Sequence, residues 1–406
     1  MSRHGRVLVA MSGGVDSSVA AGLLHEGGYE VVGVTMKTWD YETSLGGSGA
    51  SRKQSGCCSL DDMNDARAVA VALGASHTVV DIRDEFGGWV VDRFAGDYLA
   101  GRTPNPCVLC NTHIKWAALL KRADALGCEH IATGHYARVR EAAPPEVPAP
   151  PSRVGRGGAG RFVVSRGLDR AKDQSYVLWG VAQDHLARTL LPLGGHAKPE
   201  IRRLAAEMGF DHVAGKKDSY EICFVPDDDY RGFLRRRHPA LGDLAGGPLV
   251  HVETGEVLGA HDGYPFYTVG QRRGLGLALG EPAYVVRTEP ATNTVVVGPR
   301  SALAARALTL DGVVWGKTPG LEGAGGEVEA WGQIRHRDPG AAAVLRQTGA
   351  DTAEAVFAEP RAAVAPGQAA VFYDGDDVLA GGWIESVPAP PSAASRDGAF
   401  VALPTL

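Results

Sequence analysis

The stretch Ala10-Met11-Ser12-Gly13-Gly14-Val15-Asp16-Ser17-Ser18 links an apolar run, Arg6-Val7-Leu8-Val9-Ala10, to an amphipathic segment, Val19-Ala20-Ala21-Gly22-Leu23-Leu24. The first reads as a buried strand and the second as a helix. A strand, a Ser/Gly turn and a helix N-terminus together make an anion cradle, because backbone N–H groups point outward and the helix dipole favours negative charge. Gly13 and Gly14 let the backbone pass close to a ligand without a Cβ penalty. Ser12, Ser17 and Ser18 add hydroxyl donors, whereas Asp16 is out of place among phosphates unless a metal ion sits between. The plain alternative is a Ser/Gly-rich βα turn that holds no ligand.

The spacing lacks the Gly-x-x-x-x-Gly-Lys of a Walker A loop. It resembles the SGGxDS pyrophosphate loop of the PP-loop ATPases, which split ATP into AMP and pyrophosphate.

At 406 residues the chain is long enough for two or three domains. No apolar run approaches the length of a membrane span, and the N-terminus leads into a strand without a signal-peptide core, so a cytoplasmic protein with no membrane association is expected. A net charge of −6, from 41 basic and 47 acidic residues, argues globally against a nucleic-acid partner. Local charge says otherwise: Arg202-Arg203, Arg235-Arg236-Arg237-His238, Arg272-Arg273 and Arg335-His336-Arg337 are basic clusters. Each is also compatible with an ordinary solvated face. The six cysteines of a large cytosolic chain read as thiols with redox or metal chemistry, not as a disulfide framework.

Along the chain, Tyr29–Met36 reads as a second strand, 37–56 as a polar excursion on the ligand side, and Ser59 as the cap of a helix through Leu73 that stops at Gly74. Ser76–Asp81 is the next strand and Phe86–Leu99 the next helix. The βαβα alternation predicts an α/β fold, a doubly wound parallel sheet of PP-loop type. Thr103-Pro104-Asn105-Pro106 is a rigid loop opening a helix from Thr112 to Leu126, and Glu129–Ala137 is a strand ending in a turn at Gly134. Turns at strand C-termini gather in one crevice, so the SGGVDSS loop, the Pro-Asn-Pro loop and Thr133-Gly134-His135 are expected to line one site. Residues 142–160 read as a disordered Pro/Gly-rich insertion in a hairpin, and a helix is expected to reach Leu204. From about residue 230, short β-branched strands separated by Gly, Pro and Asp turns predict a small β domain and then a β-barrel. The expected division is a catalytic domain over 1–228, a small central β-rich domain over 229–290, a C-terminal β-barrel over 291–387 and a disordered tail over 388–406.

Cys110 is placed at the start of a helix, where the dipole lowers a thiol pKa, with Lys115 roughly one turn further on and Cys107 completing Cys-x-x-Cys. The alternative is a pair of inert buried thiols. Cys223, in a strand or loop between Ile222 and Phe224, gains interest only beside Cys110. Cys57-Cys58 with Cys107 and Cys110 would make a strained zinc site, since adjacent cysteines rarely fill two corners of one tetrahedron, and Cys128 reads as core.

The stretches AMSGGVDSSVAA, GCCSLDDMNDAR, GRTPNPCVLCNTHIKW, ATGHYAR, KDQSYVLW, LPLGGHAKPEIR, KDSYEICFVP, YTVGQRRGLG and PGQAAVFYDG, in this order from residue 10 to about 375, make the chain similar to the tRNA 2-thiouridylases of the MnmA/TrmU family. The resemblance implies ATP and Mg²⁺, a tRNA substrate thiolated at C2 of its wobble uridine, a persulfide donor such as a cysteine desulfurase or sulfur-relay protein, and a reductant. It implies Cys110 as nucleophile and Cys223 as persulfide carrier, giving a Cys110–Cys223 disulfide after transfer. The ATP positions it implies are Ala10, Met11, Ser12, Gly13, Gly14, Val15, Asp16, Ser17, Met36 and Gly134; the carboxylate of Asp16 among phosphates is then read as a Mg²⁺ ligand, directly or through water. The tRNA positions are Asn105, Pro106, Cys107, His135, Lys172, Asp173, Gln174, Arg335, His336 and Gln368. Family members commonly carry Asp where this chain has Cys107, a weaker acid; this opens an alternative in which Cys107, Cys110 and Cys223 hold an iron–sulfur cluster. Other PP-loop enzymes, including other tRNA-modifying ones, share the opening motif, and an RNA-binding module with a relic nucleotide fold is the non-enzymatic alternative.

Overall fold

The computed structural model describes residues 2–39, 59–142, 160–216, 222–225, 229–321 and 326–388. Most of the expected excursion (37–56), of the insertion (142–160) and of the tail (388–406), with Cys57-Cys58, lies outside the described residues.

The opening motif folds as its pattern predicts. Strand β1 (Arg6–Ala10) is followed by helix α1 (Val15–Glu26), strand β2 (Glu30–Lys37), helix α2 (Leu60–Ala72) and strand β3 (Ser76–Asp81). The Ser59 hydroxyl caps α2 by accepting from the Asp62 amide at 3.1 Å, and Gly74 ends that region with φ +63°. The next helix begins earlier than expected, at Arg83, and carries a π-helical turn at Gly87–Val91 before α3 (Asp92–Leu99).

The helix of the two-cysteine motif also starts earlier. Asn105 is its N-cap, accepting from the Val108 amide at 3.3 Å, and Pro106 opens α4 (Pro106–Leu109). Pro at the first helical position has no N–H to lose, and its fixed φ suits the helix. A π-helical turn, Cys110–Lys115, continues into α5 (Trp116–Ala125). Cys107 therefore occupies the first turn, and Cys110 lies one turn inside the helix instead of at its start.

Strand β4 (His130–Ala132) inserts beside β1, the hairpin β5 (Ala137–Glu141) and β6 (Phe162–Arg166) follows, and β7 (Thr189–Leu190) completes a parallel sheet ordered β3-β2-β1-β4-β7. Leu8 pairs with Val32 on one side and with Ile131 on the other. Val7, Leu8 and Val9 are wholly buried, as expected of a central strand covered on both faces. The order reverses between β1 and β4. Their C-terminal ends, carrying the SGGVDSS and Thr133-Gly134-His135 turns, thus flank the crevice where ligands bind in open α/β sheets. The helix expected to reach Leu204 begins only at Lys198 (α6, Lys198–Glu207), because Pro192 and the following glycines form a 3-10 turn first.

Helix α7 (Tyr230–Arg237) leads to a second sheet, ordered β10-β11-β8-β9, from β8 (Gly247–His251), β9 (Val257–His261), β10 (Tyr284–Glu289) and β11 (Thr294–Gly298). Six strands then close on themselves: β12 (Ala304–Trp315), β13 (Glu327–Gln333), β14 (Ala341–Gln347), β15 (Ala353–Ala362), β16 (Ala369–Asp374) and β17 (Asp377–Ser386). The closure is the β12–β17 pairing. The hairpin β5–β6 adds to this barrel, not to the parallel sheet. Asp377, on β17, is buried and accepts from Ser165 Oγ at 2.7 Å and from Arg140 at 2.6 Å. One apolar cluster joins Phe86, Phe94 and Leu109 to Phe224, Phe233, Leu249 and Val285, so the cysteine helix and the second sheet share one core.

Candidate active site

The loop between β1 and α1 is held from beneath and leaves its front open. Gly13 has φ +70°, and a Cβ there would run into the Asp62 carbonyl, which makes glycine obligatory. Gly14 caps α1 without a side-chain bond, and a Cβ on it would meet only Ser12 Oγ, at 3.6 Å. The first N–H groups of a helix such as α1 have no partners in the helix ladder, the arrangement that lets a helix N-terminus bind an anion. Ser17 and Ser18 turn back onto the Gly14 carbonyl at 3.2 and 2.9 Å, and Ser17 Oγ also accepts from the Ser12 amide at 3.1 Å. These hydroxyls shape the loop.

Residues to which the sequence assigned no site role complete the support. Thr35 donates to the Met11 carbonyl at 2.8 Å and meets His77 Nε2 at 2.9 Å. Lys216 donates to the Gly13 carbonyl at 2.9 Å and pairs with Asp62 at 2.8 Å and with Asp65. Lys198 donates to both oxygens of Asp16, at 2.7 and 2.8 Å, and Tyr136 donates to Asp16 Oδ1 at 2.6 Å. A lysine opening a helix beside proline resembles an ordinary solvated residue; only the fold turns Lys198 inward.

The expected Mg²⁺ ligand therefore already has a cation. A divalent ion on Asp16 would sit against the Lys198 ammonium, so the donor set does not fit a dedicated metal site. Among the described residues no group of three or more His, Cys, Asp or Glu side chains is placed to hold a metal ion.

The turn after β4 connects this loop to the cysteines. A Cβ on Gly134 would lie 2.8 Å from the Asp16 carbonyl carbon and 2.8 Å from the Ser17 nitrogen, so the turn rests directly on the first turn of α1. His135 Nδ1 is 2.6 Å from Thr133 Oγ1, and its ring is 5.6 Å from that of Trp116 on α5. Burial, with the Lys115 cation nearby, holds His135 well below the usual histidine range, so it is neutral. Lys115 also acts on Cys107. That thiol reaches open space but is recessed among protein groups; desolvation and the neighbouring Cys110 push its pKa up, and Lys115 opposes them. Cys107 is therefore a thiol at neutral pH. Its alkylation by iodoacetamide, followed by peptide mass spectrometry, is expected to accelerate only above the pH at which an unperturbed cysteine does; full reactivity at pH 7 would contradict this.

Cys110 and Cys223 are both half-buried and pack against the same apolar cluster, which contains Leu109 and Phe224. Met36 bridges that cluster and the one behind β1. Cys128 is buried in the latter.

The tRNA positions separate into outward and inward groups. Arg335 and His336 are exposed on the barrel, His336 with its ring 6.0 Å from Tyr176. Asp173 turns inward and accepts from the amides of Gly167 and Ser175 at 2.9 and 3.1 Å. Gln174 accepts from the Tyr136 amide at 2.9 Å and donates its own amide to the Tyr136 carbonyl at 2.9 Å. Gln174 thus shapes the turn that carries Gly134 and His135, while Asp173 orders the neighbouring 167–175 segment. Lys172 lies beside them, its amide on the Asp169 carbonyl at 3.0 Å.

Gln368 joins barrel to loop. Its Nε2 donates to the carbonyls of Thr103 and Pro104 at 3.2 and 2.9 Å, and Asn105 donates to its Oε1 at 3.5 Å. Gln368→Ala is expected to destabilise this junction by about 1 kcal/mol, since two part-buried carbonyls lose their donor. Hydrogen exchange should then speed up in 103–109 and leave β1 protected; unchanged exchange would contradict the clamp.

Residues 5–227 match the family described as tRNA methyl transferase HUP domain, 233–299 the tRNA methyl transferase PRC-barrel domain, and 306–384 the aminomethyltransferase beta-barrel domain. The chain is 56% identical to the tRNA-specific 2-thiouridylase MnmA of Salinibacter ruber, covering 95% of this chain and 96% of that one. It is 54% identical to the protein of the same name from Amoebophilus asiaticus, with 95% and 96% covered, and 47% identical to that from Carboxydothermus hydrogenoformans, with 94% and 97% covered. With relatives this similar along nearly their whole length, and family models matched across the three parts of the fold, the chain belongs to the tRNA-specific 2-thiouridylase family.

Proposed function

We propose that this protein replaces the C2 oxygen of a tRNA wobble uridine by sulfur, at the expense of ATP. The observation that carries the reading is the turn Thr133–Tyr136, which rests on α1 through Gly134 and reaches the cysteine helix through His135 and Lys115. One short turn thereby links the loop proposed to hold the triphosphate with the helix that carries Cys107 and Cys110.

A uridine carbonyl carbon is a poor electrophile. ATP bound with its β- and γ-phosphates at the N–H groups of Gly13 to Asp16 presents its α-phosphate toward the Gly134 side. The uridine oxygen attacks that phosphorus, pyrophosphate departs, and the C2–O bond becomes a C2–O–AMP bond with a good leaving group. The base has to leave its stack to reach the crevice. Sulfur arrives as a persulfide on Cys223. The Cys110 thiolate attacks the Cys223 sulfur, an S–S bond forms between the two cysteines, and hydrosulfide is released beside the activated carbon. Hydrosulfide adds to C2, AMP leaves, and an external dithiol reduces the disulfide. Alternatively, the persulfide adds to C2 and Cys110 resolves the covalent intermediate, with the same disulfide as product. Neutral His135 donates or accepts a hydrogen bond at the base without adding charge. Exposed Arg335 and His336 offer a contact for the RNA backbone.

The reading is tested by ATP turnover. AMP and pyrophosphate should form only when tRNA is present, in proportion to sulfur transferred. Rapid AMP formation without tRNA, or none with it, would overturn the reading.

A further inference from the structure

Asp16 sits at the second position of α1, inside the cradle proposed for the triphosphate, and its side chain is 33% exposed. A bare carboxylate there would repel the ligand that the helix N-terminus attracts. Lys198 lies behind it, only 9% exposed, with its ammonium on both carboxylate oxygens. Tyr136 adds a third hydrogen bond to the same group. A carboxylate offers about four acceptor sites, and these partners use three of them. Lys198 is itself anchored: its amide donates to Asp169 at 3.0 Å, and α6 packs on α1 through Ile201 and Ala205 in one core cluster.

From this geometry we infer that Lys198, and no metal ion, is the counter-ion of Asp16, and that the pair is a positioning device. It cancels the negative charge inside the pyrophosphate cradle and ties the first turn of α1 to the Gly134–Tyr136 turn and to α6. The inference rests on the ATP reading of the loop and deepens it. Divalent ions that accompany ATP would then be carried by the phosphates and water, away from Asp16.

Removing one member of such a pair leaves the other charge uncompensated, while removing both does not. The test is a cycle of Asp16→Asn, Lys198→Met and the double variant, read by ATP affinity with and without Mg²⁺ and by thermal melting without nucleotide. Lys198→Met is expected to weaken ATP binding at least tenfold and to lower the melting temperature, because Asp16 is then bare. Adding Asp16→Asn should restore both, with ATP affinity returning to within about threefold of the natural protein. Asp16→Asn alone should leave the affinity of the enzyme–ATP complex for Mn²⁺, followed by electron paramagnetic resonance, within about threefold. A double variant that binds ATP no better than Lys198→Met overturns the inference. So does loss of Mn²⁺ binding in Asp16→Asn, a variant that keeps the side-chain shape and decides the matter even where Lys198→Met fails to fold. Failure of the natural protein itself to bind ATP would sink the ATP reading instead, so the two are separable.

Discussion

Cys110→Ser is expected to lower tRNA thiolation by at least about a thousandfold while leaving ATP binding intact. A hydroxyl is a far weaker nucleophile toward a persulfide than a thiolate, and sulfur transfer cannot be completed without that attack. The loss should be in sulfur transfer alone. Cys110 is half-buried on the rim of an apolar cluster and makes no part of the SGGVDSS loop, so the substitution does not reach the cradle. Cys223→Ser should have an effect of the same size, and the double variant should be no worse than either, because two residues acting in one step do not contribute additively. Turnover unaffected by Cys110→Ser would contradict the roles given to both cysteines.

Gly134→Ala is expected to slow the ATP-dependent step about a hundredfold. The added methyl would lie 2.8 Å from backbone atoms of both Asp16 and Ser17, and backbone, unlike a flexible side chain, cannot swing aside. The first turn of α1 has to shift, and misplacement by about 1 Å at a reacting centre costs on the order of 10²-fold. Gly195, at the end of a 3-10 turn, has no heavy atom within 4 Å of its would-be Cβ and serves as the control: Gly195→Ala should have little effect. Equal activity of the two variants, measured as AMP formed per tRNA, would show that the Gly134 turn does not position the nucleotide.

The parallel sheet was legible because its signals are local and agree. The Arg6–Ala10 run, the Ser59 cap and the Ser76–Asp81 strand each follow from period, cap chemistry or β-branching, and the order of turns placed one crevice at the strand ends. The start of the cysteine helix was misplaced since Pro104-Asn105-Pro106 looked like a rigid loop, whereas Asn105 is a cap and Pro106 the first helical residue. Strands β9, β12, β14 and β17 gave little warning: Ala- and Gly-rich stretches such as Ala341–Gln347 have weak β propensity and are stabilised by barrel closure. Nothing local in the sequence shows that the hairpin β5–β6 also pairs with the barrel, since its partner Asp377 is more than two hundred residues away in the chain. At the site, glycines and cysteines announce themselves by type. Lys198, Lys216 and Tyr136 do not, since a lysine or tyrosine is ordinary anywhere until the fold buries it against a carboxylate or a carbonyl.

The most direct test is mass spectrometry of the tRNA itself. Purified protein is incubated with unmodified tRNA, ATP, Mg²⁺ and a persulfide source, and the RNA is digested and weighed fragment by fragment. One oxygen-to-sulfur exchange, confined to the wobble uridine and dependent on ATP, is the predicted result. Unmodified RNA in the face of ATP consumption, or sulfur at a different nucleotide, would contradict the proposed activity.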